Sequence, residues 1–322
     1  MTGRHVVFGS GPLGTAVAKE LLHRGESVAL VNRSGKATVS GVEVIVGDAY
    51  DPAFAANAVR GAAVVYQCAQ PAYHRWTEDF PRLQQAILDA AAAEGARLVI
   101  ADNLYSYGDP AGAVITETSP EKPTTKKGLL RKMMADAALQ AHRDGTVEVA
   151  LSRPSDYFGP GYDIMGDNVF RRAVAGRRMH LVGSATAPHS FSFVPDAGKA
   201  MAILGTSELS WGQVWIPPVQ PAMTQQAFAD QVWSLAGQPG RGRTGVLGRS
   251  GVALLGMVSK PIRELREMLY GFERPFIVDS SKFESTFGVA PTPLDQALGE
   301  TLAWYRNANA GEGAGAGRAV PL

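Results

Sequence analysis

Between residues 5 and 154 the chain switches repeatedly between two periodicities, and this alternation restricts the fold more than any other feature. The runs "HVVFG", "SVALVN", "VEVIVGD", "AVVYQCA", "RLVIADN" and "VEVALSRP" are short and rich in Val and Ile. They read as strands buried on both faces. Between them lie "LGTAVAKELLHRG", "PAFAANAVRG", "FPRLQQAILDAAAAEG" and "KKGLLRKMMADAALQAHRDG", with helical spacing and mostly a Gly where a helix would end. Strict strand–helix alternation implies parallel strands joined by right-handed crossovers, an α/β doubly wound sheet. After Pro154 the regularity fades into a helix, "NVFRRAVAGR", two strands, "MHLVG" and "FSFVP", a helix over 196–206, a strand, "QVWIPP", and helices over 224–236, 250–270 and 293–306. That order predicts a smaller, mainly C-terminal lobe, with some chain returning to the main sheet.

The first strand–helix turn carries chemistry. "VVFGSGPLGTAVA" sets Gly9, Gly11 and Gly14 in G-x-G-x-x-G order, with Ser10, Pro12 and Leu13 between them. In this context the first glycine permits a tight turn, the second lets backbone approach a pyrophosphate, and the third lets helix pack on strand. A diphosphate would sit at the positive end of the helix. About twenty residues on, a site for NAD offers a carboxylate to the ribose. Here the second strand ends in Asn32, Arg33 and Ser34. An arginine can pair with a 2′-phosphate and stack on adenine, so the expected cofactor is NADP(H). Asp48 and Ala49, ending the third strand, are candidates for the adenine; an Asp there can equally cap a helix.

Bulk composition excludes several other classes. A net charge of +1 gives no reason to expect nucleic acid or a membrane surface as partner. No apolar stretch reaches the roughly 18 residues of a membrane span. The start of the chain reads as a strand rather than a signal peptide. A single cysteine, Cys68, allows no internal disulfide, fits the cytoplasm, and is expected to be a core thiol. No His/Cys/Asp cluster has metal-ligand spacing, and no G-x-S-x-G turn appears.

Several landmarks now coincide: "GSGPLG", "GDAYD", "YSYGDP" after the fifth strand, "SRPSDYFGPG" after the sixth, and "HSFSFVPDAGKAM". With these the chain resembles, over residues 4 to 306, the extended short-chain dehydrogenase/reductase superfamily in its NAD-dependent epimerase/dehydratase branch. The resemblance implies a Rossmann domain over 1–160, with 190–218 returning to it, and a substrate lobe from 161–189 and 219–306. The remaining 307–322, Gly/Ala-rich, would be a flexible tail. It adds Ala69, Gln70, Pro154 and Ser155 to the cofactor residues and has Tyr157 and Phe158 pack against the cofactor.

The family's chemistry uses a Ser or Thr, a Tyr, and a Lys four residues after that Tyr. Matching "YG" at Tyr107–Gly108 puts Asn103 at the Ser/Thr position. Matching the following helix puts Lys132 at the lysine and Gly128 at the tyrosine. There is no Tyr from Gly108 to Asp156, and none of the nine tyrosines has Lys four residues on. The resemblance is therefore to an atypical member that lacks the usual proton donor, with Lys132 holding ribose or simply exposed on its helix. Tyr105, Tyr107, Tyr73 and His74, all at the carboxyl edge of the sheet, are the candidate replacements. His189 and Asp196 fall in the lobe's return, where Asp196 is expected to hold backbone.

Three functions stay open on these residues. The first is an NADP(H)-dependent oxidoreductase acting on a small carbonyl or enone compound, with a non-standard proton donor. The second is a cofactor-retaining epimerase, isomerase or lyase. The third is a catalytically silent NADP(H)-binding sensor. The expected partner is a small-molecule substrate, and a homodimer is left open.

Overall fold

The computed structural model describes residues 3–257 and 260–312. Its centre is a seven-stranded sheet, all parallel. The first six strands are β1 (Arg4–Phe8), β2 (Ser27–Asn32), β3 (Glu43–Val46), β4 (Ala62–Gln67), β5 (Arg97–Ala101) and β6 (Val149–Ser152). The strand Gln213–Trp215 completes it beside β6, giving the order Gln213–Trp215, β6, β5, β4, β1, β2, β3. The order reverses between β1 and β4, where an open α/β sheet leaves a crevice beyond its strand ends.

Helices α1 (Pro12–His23), α2 (Pro52–Ala58), α3 (Trp76–Glu94) and α4 (Lys126–Arg143) form the crossovers. Local chemistry fixes their ends. Pro12 opens α1, the Asp51 carboxylate accepts from the Ala53 N–H at the start of α2, and the Thr125 hydroxyl accepts from the Gly128 N–H at the start of α4. One face of the sheet buries Val6, Phe8, Val65, Leu98 and Ile100 against α2, α3 and α4. The other buries Val7, Leu30, Tyr66 and Val99 against α1 and the helix Val194–Thr206. That last helix lies so close to α1 that a Cβ on Gly198 would come within 2.5 Å of the Ala16 methyl.

The C-terminal lobe has its own core, in which Phe158, Phe170, Phe191, Phe193, Phe228 and Tyr305 meet. Strand β7 (Asp156–Phe158) leads into it, pairing in parallel with Phe191–Phe193. The final helix runs over Leu294–Glu312, past the expected end at 306. So 307–312 is helical rather than tail, and 313–322 lies outside the described residues.

Candidate active site

One cavity of about 1150 Å³ follows the carboxyl edge of the sheet. At one end is the glycine turn. Gly9 has φ +103°, and a Cβ there would come within 2.7 Å of the Ala69 backbone nitrogen, so only glycine fits. A Cβ on Gly14 would lie 1.9 Å from the Gly9 carbonyl oxygen. Gly11 differs from both: its φ is −69°, and a Cβ would meet nothing within 4 Å. Its open side is room beside the first turn of α1, the space a dinucleotide phosphate needs. Ser10, Pro12 and Leu13 line the same end of the cavity.

Asn32, Arg33 and Ser34 form the neighbouring wall. The Asn32 side-chain oxygen accepts from the Ser34 and Gly35 N–H groups at 3.0 and 2.7 Å, and its amide donates to the Lys36 carbonyl at 2.9 Å. This holds the turn and leaves Arg33 exposed at the rim. Asp48 and Ala49 complete this end, with the Asp48 carboxylate accepting from the Tyr50 N–H at 3.1 Å. Ala69 and Gln70, then Pro154 and Ser155, line the middle.

At the far end stand Asn103, Tyr73, Tyr105, Asp156, Tyr157 and Tyr162. Asn103 accepts from the Tyr105 N–H at 3.1 Å, which turns its amide NH₂ into the remaining donor. The Tyr73 hydroxyl donates to the Tyr105 hydroxyl at 3.3 Å. Burial pushes both phenols up from their ordinary range, so both stay protonated at neutral pH.

Four expected positions are corrected. Lys132 is not among the residues lining the cavity; its ammonium pairs with Asp136 at 2.9 Å and Glu121 at 3.3 Å on the outer side of α4. His74 is exposed on a short turn and Tyr107 is buried behind the wall; neither lines the cavity. Phe158 points into the lobe core, while Tyr157 does reach the cavity. Gly128 proves to be a contact glycine, since a Cβ there would approach the Tyr105 carbonyl oxygen to 2.7 Å. Cys68 is half-buried, and burial pushes its thiol far up from the usual range. Asp196 does hold backbone, accepting from the Thr292 N–H and hydroxyl at 2.8 and 2.6 Å.

The inward face of α4 carries Lys127 and Arg131, one position before Gly128 and Lys132. The Arg131 guanidinium donates to Asp102, which also receives Arg153 at 2.6 Å; Arg153 continues to Glu121. Burial alone would raise the Asp102 carboxyl, but the guanidinium groups of Arg131 and Arg153 outweigh it and hold the group below its ordinary range. Lys127 lies over the Tyr73 ring at 4.5 Å and pairs with Glu264 and Glu267. The i, i+4 spacing of Lys127 and Arg131 within the stripe of Leu130, Met134 and Ala138 was the available signal for this face. Asp156 carried no comparable signal. Among the described residues no group of three or more His, Cys, Asp or Glu could hold a metal ion, and no helix is long and apolar enough to cross a membrane.

A family model described as the NAD dependent epimerase/dehydratase family matches residues 6–210. No curated protein sequence matches the chain. Among solved structures, a UDP-glucose 4-epimerase with UDP-glucose from Thermotoga maritima is 16% identical, with TM-score 0.78 over 95% of this chain and 99% of that one. A UDP-N-acetylglucosamine 4-epimerase from Bacillus cereus is 17% identical, with TM-score 0.75 over 94% and 96%. A dTDP-glucose 4,6-dehydratase from Bacillus anthracis, solved in complex with NAD, is 15% identical, with TM-score 0.76 over 95% and 97%. At these identities the likeness concerns the fold.

Proposed function

Because the chain belongs to the NAD-dependent epimerase/dehydratase family, we propose that it is an atypical NADP(H)-dependent oxidoreductase for a small carbonyl or enone compound. The observation that carries this reading is the continuity of one cavity from the glycine turn to Asn103, Tyr73 and Tyr105. The turn at Gly9, Gly11 and Gly14 holds the diphosphate, and Arg33 with Ser34 takes the 2′-phosphate. Asp48 and Ala49 meet the adenine. The bound nicotinamide supplies or takes the hydride.

The chain's own groups position the substrate. The Asn103 amide donates to a substrate oxygen and stabilises charge that builds there. Tyr73 donates to Tyr105, which leaves the Tyr105 hydrogen for the same oxygen. Its raised phenol makes it a hydrogen-bond donor rather than an acid that gives up its proton. The inner face of α4 carries Lys127 and Arg131, both committed to carboxylates, and the helix holds no tyrosine. Family membership supports a second reading, in which hydride leaves and returns within one turnover and the product is an isomer or dehydration product.

NADPH fluorescence followed against a panel of aldehydes, ketones and enones tests the proposal. Cofactor consumption is the expected result. Conversion without net change in NADPH selects the second reading. Binding without conversion of any compound overturns both.

A further inference from the structure

The imidazole of His189, 1% exposed, bridges two acceptors. Its Nδ1 lies 3.0 Å from the Gly271 carbonyl oxygen, and its Nε2 lies 2.9 Å from Oδ2 of Asp156. A carbonyl oxygen only accepts, so Nδ1 must carry a hydrogen. A neutral histidine would then turn a bare Nε2 toward a carboxylate oxygen, lone pair against lone pair. The short contact needs a hydrogen between them. The pair therefore holds one proton beyond those of neutral imidazole and carboxylate, either on Nε2 or on Asp156.

The surroundings fix the imidazole while leaving the carboxyl reachable. The His189 ring stacks on Phe272 and Phe276, with centroids 5.1 and 5.4 Å away, and meets Phe191 at 4.7 Å. Its backbone bridges to Phe276, and Asp156 is in register with Phe191. The Asp156 side chain is 36% exposed and forms part of the cavity wall, with Tyr105 and Tyr162. The titratable groups that feel Asp156 are the phenols of Tyr73, Tyr105, Tyr162 and Tyr270, all raised chiefly by burial and all protonated at neutral pH. Lys127, over Tyr73, is already paired with Glu264 and Glu267. Among the described groups at this end, the mobile proton belongs to the His189–Asp156 pair.

We infer that Asp156 and His189 are an acid–base pair that exchanges this proton with the oxygen of a carbonyl or alcohol substrate in the cavity. The inference rests on the proposed oxidoreductase reading. In reduction, hydride adds to the carbonyl carbon and the C=O π pair moves to oxygen. That oxygen takes the proton from Asp156, and His189 passes its Nε2 hydrogen to Oδ2 where it held it. The pair is left as carboxylate and neutral imidazole, and water restores the proton. Oxidation of an alcohol runs the same transfers backwards. Asp156 is the catalytic residue, and His189 acts through it.

The first test needs no substrate. Nitrogen and carbon NMR of protein labelled at His and Asp counts the protons of the pair at neutral pH. The expected result is one shared proton: His189 doubly protonated, or Asp156 present as the acid. Asp156→Asn should leave His189 with Nδ1–H alone. An ionised Asp156 beside a neutral His189 in the unsubstituted protein overturns the pair. The second test is the NADPH panel with Asp156→Asn, its folding checked by thermal melting. The rate should fall about a hundredfold or more, with NADPH affinity unchanged. An unchanged rate overturns the transfer, as does an NADPH-bound protein that reduces no compound. Failure of the unsubstituted protein to bind NADPH falls on the oxidoreductase reading, and the proton count still decides the pair.

Discussion

Gly11→Ala and Gly14→Ala add the same methyl group three residues apart, yet the structure assigns them opposite consequences. At position 11 a Cβ meets nothing within 4 Å, and the φ of −69° suits any residue. Gly11 caps α1, where alanine is the poorer cap by roughly 0.5–1 kcal/mol. The unfolded chain loses about 0.4–1 kcal/mol of freedom when glycine is replaced, which offsets that. Stability should therefore stay within about 1 kcal/mol. The methyl group instead occupies the space beside the first turn of α1, where the diphosphate would come against the backbone. Overfilling a close contact costs about 1–3 kcal/mol, so the NADPH dissociation constant should rise by roughly five- to over a hundredfold. At position 14 the methyl carbon would stand 1.9 Å from the Gly9 carbonyl oxygen, and the turn must move. Gly14→Ala should lower the melting temperature by several degrees, at roughly 2–4 °C per kcal/mol. Titration calorimetry with NADPH and thermal melting of both variants provide the measurements. Unaltered NADPH affinity in a folded Gly11→Ala protein would refute the placement of the diphosphate. Equal loss of stability in the two variants would refute the steric argument.

Arg33→Ala should weaken NADPH by about 1.5–3 kcal/mol and leave NADH binding unchanged; calorimetry with both cofactors checks this, and equal losses would remove Arg33 as selector. Lys132→Met should leave the NADPH dissociation constant unchanged, because its ammonium is spent on Asp136 and Glu121 outside the cavity; a tenfold rise would return it to the site. Arg131→Met should destabilise by about 3–5 kcal/mol at neutral pH, measured by urea unfolding, because Asp102 loses one of its two buried cations. The Asp102 carboxyl is depressed in the folded state, so its contribution is present above the ordinary carboxylate value of about 3.9. That contribution is lost as pH falls through the folded value, and the gap between Arg131→Met and the unsubstituted protein should narrow there.

Much of the fold was legible because its signals are local. A strand buried on both faces is apolar through its centre, as at Val6, Val7 and Phe8 in β1, Val28, Ala29, Leu30 and Val31 in β2, Val64, Val65 and Tyr66 in β4, and Leu98, Val99 and Ile100 in β5. The glycine turn was legible for the same reason, since its geometry lies within six residues. The register of α4 was not. Lys126, Lys127 and Lys132 look alike in sequence, and apart from the spacing of Lys127 and Arg131 along the stripe of Leu130, Met134 and Ala138 it takes packing to show that these two turn inward while Lys132 pairs at the surface. Tyr107 and His74 sit on the correct edge, but residues on an edge need not face its cavity. The His189–Asp156 contact joins residues 33 apart on two short strands, and no periodicity links them.

The contact of Gly198 with Ala16 bears on how the polypeptide becomes a folded body. The first helix of the nucleotide-binding half is covered by a helix nearly two hundred residues downstream, and the sheet gains its last strand later still, at Gln213–Trp215. A fragment ending at residue 160 would leave Ala16 without the helix that covers it and the edge of β6 unpaired. The two lobes are therefore expected to melt together in one transition. Partners so distant along the chain also make folding slow, because the loop must close before the contacts form. During synthesis the nucleotide half has to wait, incomplete, for chain that emerges after most of the lobe's first segment.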